Sequence, residues 1–339
     1  MKQFGRVLIT GGTGFIGSNF IRYLLRRTWD VGRGTCETGR GAIKIINLDK
    51  LTYSGNLENL KDVENDSRYK FVKGDICDKK LVERLMKGCD AVINFAAESH
   101  VDRSIRESRE FIRTNVSGTQ VLLDAARKCG IGRFIQISTD EVYGSIGRGR
   151  FKENAPLSPN SPYAASKASA DLLVRSYWIT YKMPVIIVRS SNNFGPFQYP
   201  EKVIPLFITN ALQNRKLPLY ADGRNVREWI YVTDNCSAIT FILESGIPGE
   251  VYNIGTGYRL KNIVLTGKIL KILGKDKNLI RFVKDRPGHD KRYSLNSDKL
   301  KSLGWKPERR FGDALQETIM WYKENEKWWK RLEREEKFW

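Results

Sequence analysis

Residues 6–17 read RVLITGGTGFIG, and this stretch decides the fold. An apolar strand runs directly into a glycine-rich turn, and apolar residues then recur at helical spacing as far as residue 25. The glycines fit both GxGxxG, through Gly12, Gly14 and Gly17, and GxxGxxG, which begins at Gly11. Such glycines let the backbone approach a pyrophosphate closely, and the start of the following helix attracts the anion. The stretch predicts a dinucleotide-binding turn formed by Gly11, Gly14, Phe15, Ile16 and Gly17.

Strand and helix patterns alternate through the first half of the chain. Further apolar strands are predicted at 43–49, 69–76, 90–97, from 134 and at 184–188, with helical patterns between them. This alternation predicts an α/β fold, a Rossmann-type doubly wound parallel sheet. After residue 188, Asn, Gly and Pro punctuate the chain. The predicted domains are a dinucleotide-binding domain at 1–190, a smaller C-terminal mixed α/β substrate lobe at 191–325, with the chain crossing back near 230–255, and a basic, aromatic tail at 326–339.

The acid that ends the second strand distinguishes between the two nicotinamide dinucleotides. Asp49 is expected to bind the adenosine ribose hydroxyls, which favours NAD over NADP. NADP stays a possible cofactor, because the basic side chain of Lys50 can contact a 2′-phosphate. The glycine-rich stretch Thr28–Gly41 is predicted to be an exposed loop, which explains why Asp49 follows the motif later than the usual ~20 residues. The other expected cofactor contacts lie mainly at strand ends: Lys50, Thr52, Asp75, Ile76, Ala96, Ala97, Ser138, Tyr163 and Lys167.

The net charge of +20 fits two interpretations. It attracts polyanions or phosphorylated substrates, or it belongs to a solvated surface rich in ion pairs. The second is favoured, because Lys and Arg are spread along the chain and the C-terminal cluster alternates with Glu. We therefore expect no nucleic-acid partner, and packing as the role of the aromatic residues near the C-terminus.

Cysteine usage and hydropathy predict a cytoplasmic protein. The five cysteines include no CxxC pair, so neither a disulfide framework nor a metal site is expected. No apolar run approaches the roughly 18 residues of a membrane span, and residues 1–6 have no secretory pattern. Membrane partners are therefore not expected.

A cluster of proton-carrying side chains follows the strand that begins at residue 134. Ser138-Thr139-Asp140-Glu141 leave its carboxyl end, where ligands of parallel sheets lie. Tyr163 and Lys167 follow at a spacing that puts both on one face of a helix. The ammonium is expected to lower the pKa of the phenol and make it a general base. Two carboxylates in different environments can act separately as acid and base.

These motifs resemble those of the nucleotide-sugar 4,6-dehydratases of the extended short-chain dehydrogenase/reductase superfamily, most closely the dTDP-glucose 4,6-dehydratases. The resemblance spans nearly the whole chain. Departures include the Thr28–Gly41 loop, Phe194 in place of the usual Tyr, and the lack of an acidic helix start within 259–265. Beyond the glycine turn, the cluster above and Asn94–Ala97, the matching segments are 98–105, 189–196, 199–205 and 285–290.

The resemblance implies dehydration of dTDP-glucose to the 4-keto-6-deoxy sugar nucleotide. Tyr163 would take the proton of the 4-hydroxyl, Glu141 the C5 proton, and Asp140 would protonate the departing C6 oxygen. Thr139 would hydrogen-bond the C4 oxygen, and hydride would move from C4 to tightly bound NAD and return to C6. The cofactor would be regenerated in each turnover. The family also implies a homodimer through helices at about Ser104–Lys128 and Pro162–Lys182.

The phosphates of a nucleotide-diphosphate hexose need cations, and Arg suits them because it contacts two oxygens at once. Asparagines can bond the sugar or pyrophosphate, a tyrosine can stack on the base, and the two histidines lie in segments that match the family. The expected substrate contacts are Ser99, His100, Asn193, Lys202, Arg227, Asn253, Arg286, His289 and Tyr293.

Three alternatives stay open at this point. A UDP-glucose 4,6-dehydratase would have the same acid pair. A nucleotide-sugar epimerase or decarboxylase of the superfamily would not need that pair. A protein that binds nucleotide sugars or nucleic acid without turnover would not need Tyr163, Lys167, Asp140 and Glu141 together.

Overall fold

The computed structural model describes residues 4–31 and 43–335. In it, short apolar strands form a central sheet, and their carboxyl ends lie along one edge of that sheet. Seven strands pair in the order β10-β6-β5-β4-β1-β2-β3, and every pairing is parallel. The order reverses beside β1, and ligands of such sheets bind at this switch point. The predicted Rossmann-type sheet is present. Its strands are β1 (Arg6–Thr10), β2 (Lys44–Asp49), β3 (Tyr69–Lys73), β4 (Ala91–Asn94), β5 (Arg133–Thr139), β6 (Val185–Ser190) and β10 (Val251–Ile254).

Helices cover both faces of this sheet. On one face, apolar residues of α1 and α8 share a core with the strands, among them Phe20 and Ile239. On the other face, α2, α5 and α6 contribute Val82, Leu122 and Val174 to a second core. The bounds are α1 (Phe15–Val31), α2 (Lys79–Met86), α3 (Val101–Arg106), α4 (Arg109–Phe111), α5 (Thr119–Lys128), α6 (Pro162–Tyr181) and α8 (Val232–Ser245).

A third core lies in the C-terminal half, where two small sheets pack against helices. One sheet has the order β11-β9-β7, with one parallel and one antiparallel pairing, and the other joins β12 to β8. Phe207, Trp229, Leu265, Ile319 and Trp329 fill the core between them. The elements are β7 (Asn192–Phe194), α7 (Val203–Leu212), β8 (Leu217–Tyr220), β9 (Val226–Tyr231), β11 (Arg259–Lys261), α9 (Asn262–Leu273), β12 (Ile280–Val283), α10 (Asp298–Ser302), α11 (Phe311–Glu324) and α12 (Glu326–Glu335).

The chain therefore returns to the large sheet after residue 230. Helix α8 packs beside α1, and β10 pairs with β6 through Val251–Ile254. The domain bounds at 190 and 325 stay predictions. In the described ranges, no helix has both the length and the apolar character needed to cross a membrane.

Two sequence expectations about helices are wrong in detail. The helix expected at Ser104–Lys128 is interrupted, because Glu107 is extended and its carboxylate accepts a hydrogen bond from the Arg109 amide at 2.9 Å. The chain then runs through a π-helix at Ile112–Gly118 before α5. A loop is expected at Thr28–Gly41, but its first residues, Thr28–Val31, continue α1, and residues 32–41 lie outside the described residues.

The segment that lacks an acidic helix start still forms a strand and a helix. Lys261 precedes α9 without a side-chain cap. Leu265, Ile269 and Leu270 are buried in the core of the C-terminal half, so packing stabilises this helix in place of a cap.

Candidate active site

One cleft opens at the carboxyl ends of β1, β2, β4, β5 and β6. It is lined by every residue predicted to bind the cofactor and by the five predicted catalytic residues. The cofactor set is Gly11, Gly14, Phe15, Ile16, Gly17, Asp49, Lys50, Thr52, Asp75, Ile76, Ala96, Ala97, Ser138, Tyr163 and Lys167. Thr139, Asp140 and Glu141 complete the catalytic set.

The glycine turn leaves no room for side chains at Gly11, Gly12 and Gly17, and a Cβ on Gly12 would lie 2.2 Å from the Asn47 side-chain oxygen. Gly11 has φ +69°, and a Cβ there would lie 2.6 Å from the Ala96 nitrogen. A Cβ on Gly17 would lie 2.4 Å from the Gly11 oxygen. A Cβ on Gly14 would meet nothing closer than 3.4 Å, so its backbone faces open space at the start of α1. This bare turn before a helix N-terminus fits a dinucleotide pyrophosphate.

Asp49 is held at the end of β2 by backbone amides. One carboxylate oxygen accepts from the Thr13 amide and the other from the Leu51 amide, both at 2.9 Å. The carboxylate is 8% exposed and lines the cleft, which suits the predicted contact with ribose hydroxyls.

Lys50 faces a carboxylate inside the protein. Its Nζ lies 3.1 Å from Asp75, which also accepts a hydrogen bond from Arg113 at 2.8 Å. Burial opposes ionisation of Asp75, but bonds from the Cys77 amide, Lys50 and Arg113 lower its pKa to about 2. Lys50 thus has a carboxylate partner inside the protein, which makes it less available to a 2′-phosphate and favours NAD over a 2′-phosphorylated dinucleotide.

The acid pair sits on a tight turn at the end of β5. Thr139 caps a 3₁₀-helix at Asp140–Tyr143, where its hydroxyl accepts from the Glu141 amide at 3.3 Å. Burial and the neighbouring Glu141 raise the pKa of Asp140 well above its usual value. Burial also raises the pKa of Glu141, while Arg286, Arg227 and Lys202 oppose that rise. The two carboxyl groups therefore stand in different electrostatic surroundings.

Tyr163 and Lys167 reach the cleft from the first turns of α6. This helix begins with a Ser161 cap and Pro162 at its start. The Lys167 ammonium donates to the Ile137 carbonyl at 2.6 Å, and burial lowers its pKa to about 8. Burial and the charges of Glu141 and Asp140 raise the pKa of Tyr163. The expectation that Lys167 lowers the phenol pKa is wrong for this structure, because burial and the acid pair dominate.

Three of the predicted substrate residues line the same cleft: Ser99, Asn193 and Lys202. Lys202 donates to the Ser99 carbonyl at 2.9 Å. His100 lies behind them, where its Nδ1 accepts from the Arg103 amide at 3.2 Å and caps α3. Burial and nearby cations lower the pKa of His100 to about 3, so the ring is neutral. Its proton is then on Nε2, 3.4 Å from Glu201.

The other predicted substrate residues lie outside the residues that line the cleft. Asn253 is fully buried and its amide bonds Tyr143, Phe151 and Asn296, so we correct the expectation that it bonds the sugar or pyrophosphate. Tyr293 is 2% exposed, and its hydroxyl donates to Asp290, so we also correct its expected role of stacking on a base.

The remaining three predicted substrate residues are Arg227, Arg286 and His289. Arg227 stacks on the Tyr293 ring at 4.3 Å and donates to the Asp290 carbonyl. The Nε of Arg286 is buried without a hydrogen-bond partner among the described residues. His289 Nδ1 lies 2.6 Å from Asp285. The charges of Arg227 and Arg286 act on Glu141, which keeps both as candidates for substrate phosphate contact.

Sequence reasoning missed Glu201. Its carboxylate, only 4% exposed, accepts from Tyr53 at 3.1 Å and lies 3.5 Å from Arg103. Glu98 and Gln198 also line the cleft and were missed. The available clue for Glu201 was an acid between Pro200 and Lys202 in a segment that already resembled the family.

Comparison with known proteins identifies the family. The model of the GDP-mannose 4,6 dehydratase family matches residues 8–318. The chain belongs to this family. It is 49% identical over 328 residues to dTDP-glucose 4,6-dehydratase of Streptomyces niveus, covering 96% of this chain and 95% of that protein. It is 52% identical over 316 residues to low-salt glycan biosynthesis protein Agl12 of Haloferax volcanii, covering 93% and 98%.

A solved structure agrees with this placement. The crystal structure of dTDP-glucose 4,6-dehydratase from Streptomyces venezuelae, with NAD bound, matches with a TM-score of 0.91 and 51% identity. The match covers 96% of this chain and 99% of that one. The predicted membership of the extended short-chain dehydrogenase/reductase superfamily is confirmed.

Proposed function

We propose that this member of the GDP-mannose 4,6-dehydratase family is a hydro-lyase that uses NAD to convert dTDP-glucose to dTDP-4-keto-6-deoxyglucose. The observation that carries the proposal is the acid pair Asp140-Glu141, in which Asp140 is buried, beside Tyr163 and Lys167 in a dinucleotide cleft. A phenol and an ammonium suit oxidation of an alcohol, and the acid pair suits removal of water. The dTDP-glucose 4,6-dehydratases that share about half of its residues support the same reaction.

The cofactor site fits NAD through its glycine turn and Asp49. Bound NAD supplies a hydride acceptor early in the cycle and a hydride donor at its end, so no net reductant is needed. The chain contributes the backbone donors at the start of α1, the acid at the end of β2 and the small Ala96 and Ala97 beside Gly11.

Proton transfers belong to the side chains at the end of β5 and the start of α6. Tyr163 takes the proton of the sugar 4-hydroxyl, and Thr139 holds the C4 oxygen. The raised pKa of Tyr163 means that its proton leaves only against the burial penalty, which the hydrogen bond with the Thr139 side chain partly offsets. Glu141 removes the C5 proton, because Arg286, Arg227 and Lys202 favour its ionised form. Asp140, whose pKa burial and the neighbouring Glu141 raise, donates a proton to the departing C6 oxygen.

Incubation with dTDP-glucose tests the proposal. We expect the alkaline absorbance of a 4-keto sugar to appear and the Tyr163→Phe variant to give none. Parallel incubation with UDP-glucose shows which nucleotide the protein prefers. Faster turnover of UDP-glucose than of dTDP-glucose would make UDP-glucose the proposed substrate. Recovery of unchanged sugar, or of galactose, would contradict dehydration and favour a binding protein or an epimerase.

We further propose a homodimer, and a cytoplasmic location stays a prediction. The homodimer rests on an exposed stripe along α6, formed by Ala165, Ser169, Leu172, Ser176 and Ile179. Leu172 is 57% and Ile179 51% exposed, and their small neighbours permit close helix contact. Ile112, 49% exposed in the π-helix before α5, adds apolar surface on the neighbouring helical segment. A second copy of the chain is the simplest partner for such a stripe.

A further inference from the structure

The C-terminal helix α12 has no part in the proposed chemistry, yet it lies against the cofactor half of the molecule. Its Trp328 donates from the indole nitrogen to the Asn59 side-chain oxygen at 3.0 Å. Arg331, one turn later, donates to the Asn56 side-chain oxygen at 3.2 Å. Both asparagines are nearly buried, at 2% and 8% exposure for Asn59 and Asn56. Residues almost a whole chain apart are therefore joined by directed hydrogen bonds.

The same two asparagines hold the glycine turn. The Asn59 side-chain amide donates to the Thr13 carbonyl at 2.8 Å, and the Asn56 backbone amide donates to the same carbonyl at 3.2 Å. Thr13 lies between Gly12 and Gly14, and its own amide donates to Asp49 at 2.9 Å. Two consecutive hydrogen bonds, through Asn59, therefore connect Trp328 to Thr13 of the glycine turn. A third connects Thr13 to Asp49, the acid expected to bind ribose.

The helix that carries Trp328 is itself firmly anchored. Trp329 is fully buried and donates to the Tyr322 carbonyl at 2.8 Å. The Trp328 ring packs against Trp321 and Phe197 at centroid distances of 5.1 and 6.0 Å. Phe197 in turn lies under the guanidinium of Arg22, a residue of α1, at 4.0 Å. An anchored helix can hold the two asparagines in place, whereas a frayed terminus could not.

We propose that α12 belongs to the NAD site: Trp328 and Arg331 are positioning residues that keep the glycine turn in its binding shape through Asn59 and Asn56. The proposal rests on NAD as the cofactor and not on the identity of the sugar. A turn held in its bound shape loses less conformational freedom when NAD binds, so its affinity is higher. This arrangement favours a cofactor that stays bound from one turnover to the next.

The Trp328→Phe variant tests the proposal, because it keeps an aromatic ring and removes the N–H donor. We expect NAD to bind about three- to tenfold more weakly, as loss of one hydrogen bond to a positioning group predicts. Arg331→Met, which keeps the aliphatic stem, is expected to weaken binding in the same direction. The measurements are the NAD dissociation constant without sugar, the NAD content after gel filtration and the melting temperature of NAD-free protein.

Trp321→Phe is the matched control. Trp321 packs on the same Phe197 at 4.7 Å, and its indole N–H makes no hydrogen bond within the described residues. We expect Trp321→Phe to bind NAD as the parent does, and all three variants to reach the parent's kcat at saturating NAD. Equal NAD affinity in Trp328→Phe and Trp321→Phe would overturn the proposal. It would also be overturned if each variant lost NAD affinity in proportion to the fall in the melting temperature of its NAD-free form. Absence of sugar turnover in the parent protein would contradict the proposed function and leave these binding results intact.

Discussion

Asp140 and Glu141 are neighbours in the chain with different surroundings. Asp140 is 2% exposed and faces the like charges of Glu141 and Glu228, so its pKa is raised well above the usual range. Glu141 is only half-buried, and cations from the C-terminal half oppose the rise of its pKa. Burial and like charge therefore favour the protonated form of Asp140, whereas nearby cations favour the ionised form of Glu141. This difference is what an acid and a base in one reaction require.

Substitution of each acid should separate the two proton transfers. In Glu141→Gln, exchange of the sugar C5 proton with solvent should slow by about 10²–10⁴-fold, because the base is lost. In Asp140→Asn, NAD reduction in a single turnover should persist while product formation falls by a comparable factor. Deuterium incorporation at C5 and NADH absorbance in rapid-mixing experiments measure the two steps.

An exposed carboxylate on α11 supplies the control, and Asp313→Asn should leave both steps unchanged. Normal C5 exchange in Glu141→Gln would move the base role to another residue. A loss of C5 exchange in Asp140→Asn equal to that in Glu141→Gln would show that the acids act as a unit.

Sequence reasoning placed these side chains but not their electrostatics. The residue types and spacing brought Tyr163, Lys167 and the acid pair to one cleft, because strand ends and helix faces follow local periodicity. The direction of the Tyr163 pKa depends on burial, which only the folded chain supplies. Asn253 was misassigned for the same reason, since its partners come from segments far from it in sequence.

At the scale of elements, the turn between β1 and α1 is constrained on several sides. Gly17 faces the Gly11 oxygen, and Thr13 is bonded both to Asp49 and to two asparagines of the following loop. The motif itself was recognisable because its residues are contiguous. The contribution of α12 was not, because it joins segments at opposite ends of the chain.

The Gly17→Ala variant should lose NAD binding and stability together. The added Cβ would lie 2.4 Å from the Gly11 oxygen, so the turn must shift, at a cost of about 1–3 kcal/mol of unfolding free energy. Gly267→Ala in α9 is the control, because its Cβ meets nothing within 4 Å. We expect that change to be neutral or to stabilise by about 0.5–1 kcal/mol. NAD titration and chemical denaturation measure both effects, and unchanged NAD affinity in Gly17→Ala would contradict the assigned turn.

At the scale of the whole molecule, helix α6 has two faces with different roles. One carries Tyr163 and Lys167 into the cleft, and the other presents Leu172 and Ile179 to solvent. A dimer through the second face would fix the helix that carries the catalytic side chains. Family resemblance suggested this interface, and the exposed stripe supports it.

The Leu172→Glu variant should behave as a monomer, because a carboxylate buried between apolar helices is strongly disfavoured. Light scattering after size-exclusion chromatography measures the mass. Phe282→Glu is the control, since Phe282 is 58% exposed on β12, away from this stripe. A monomeric parent protein, or a Leu172→Glu dimer, would contradict the proposed interface.

The return of the chain to the large sheet has a consequence for synthesis on the ribosome. When residue 190 has emerged, strands β1 to β6 are complete, but α8 and β10 have not been made. Until then, the side of α1 that carries Phe20 and Ile21 has no cover from Ile239 and Ile242. A nascent chain at this stage exposes apolar surface next to an unpaired β6 edge, and such edges attract other chains and chaperones. We therefore expect the nascent chain to be prone to aggregation while residues 190–254 are being made.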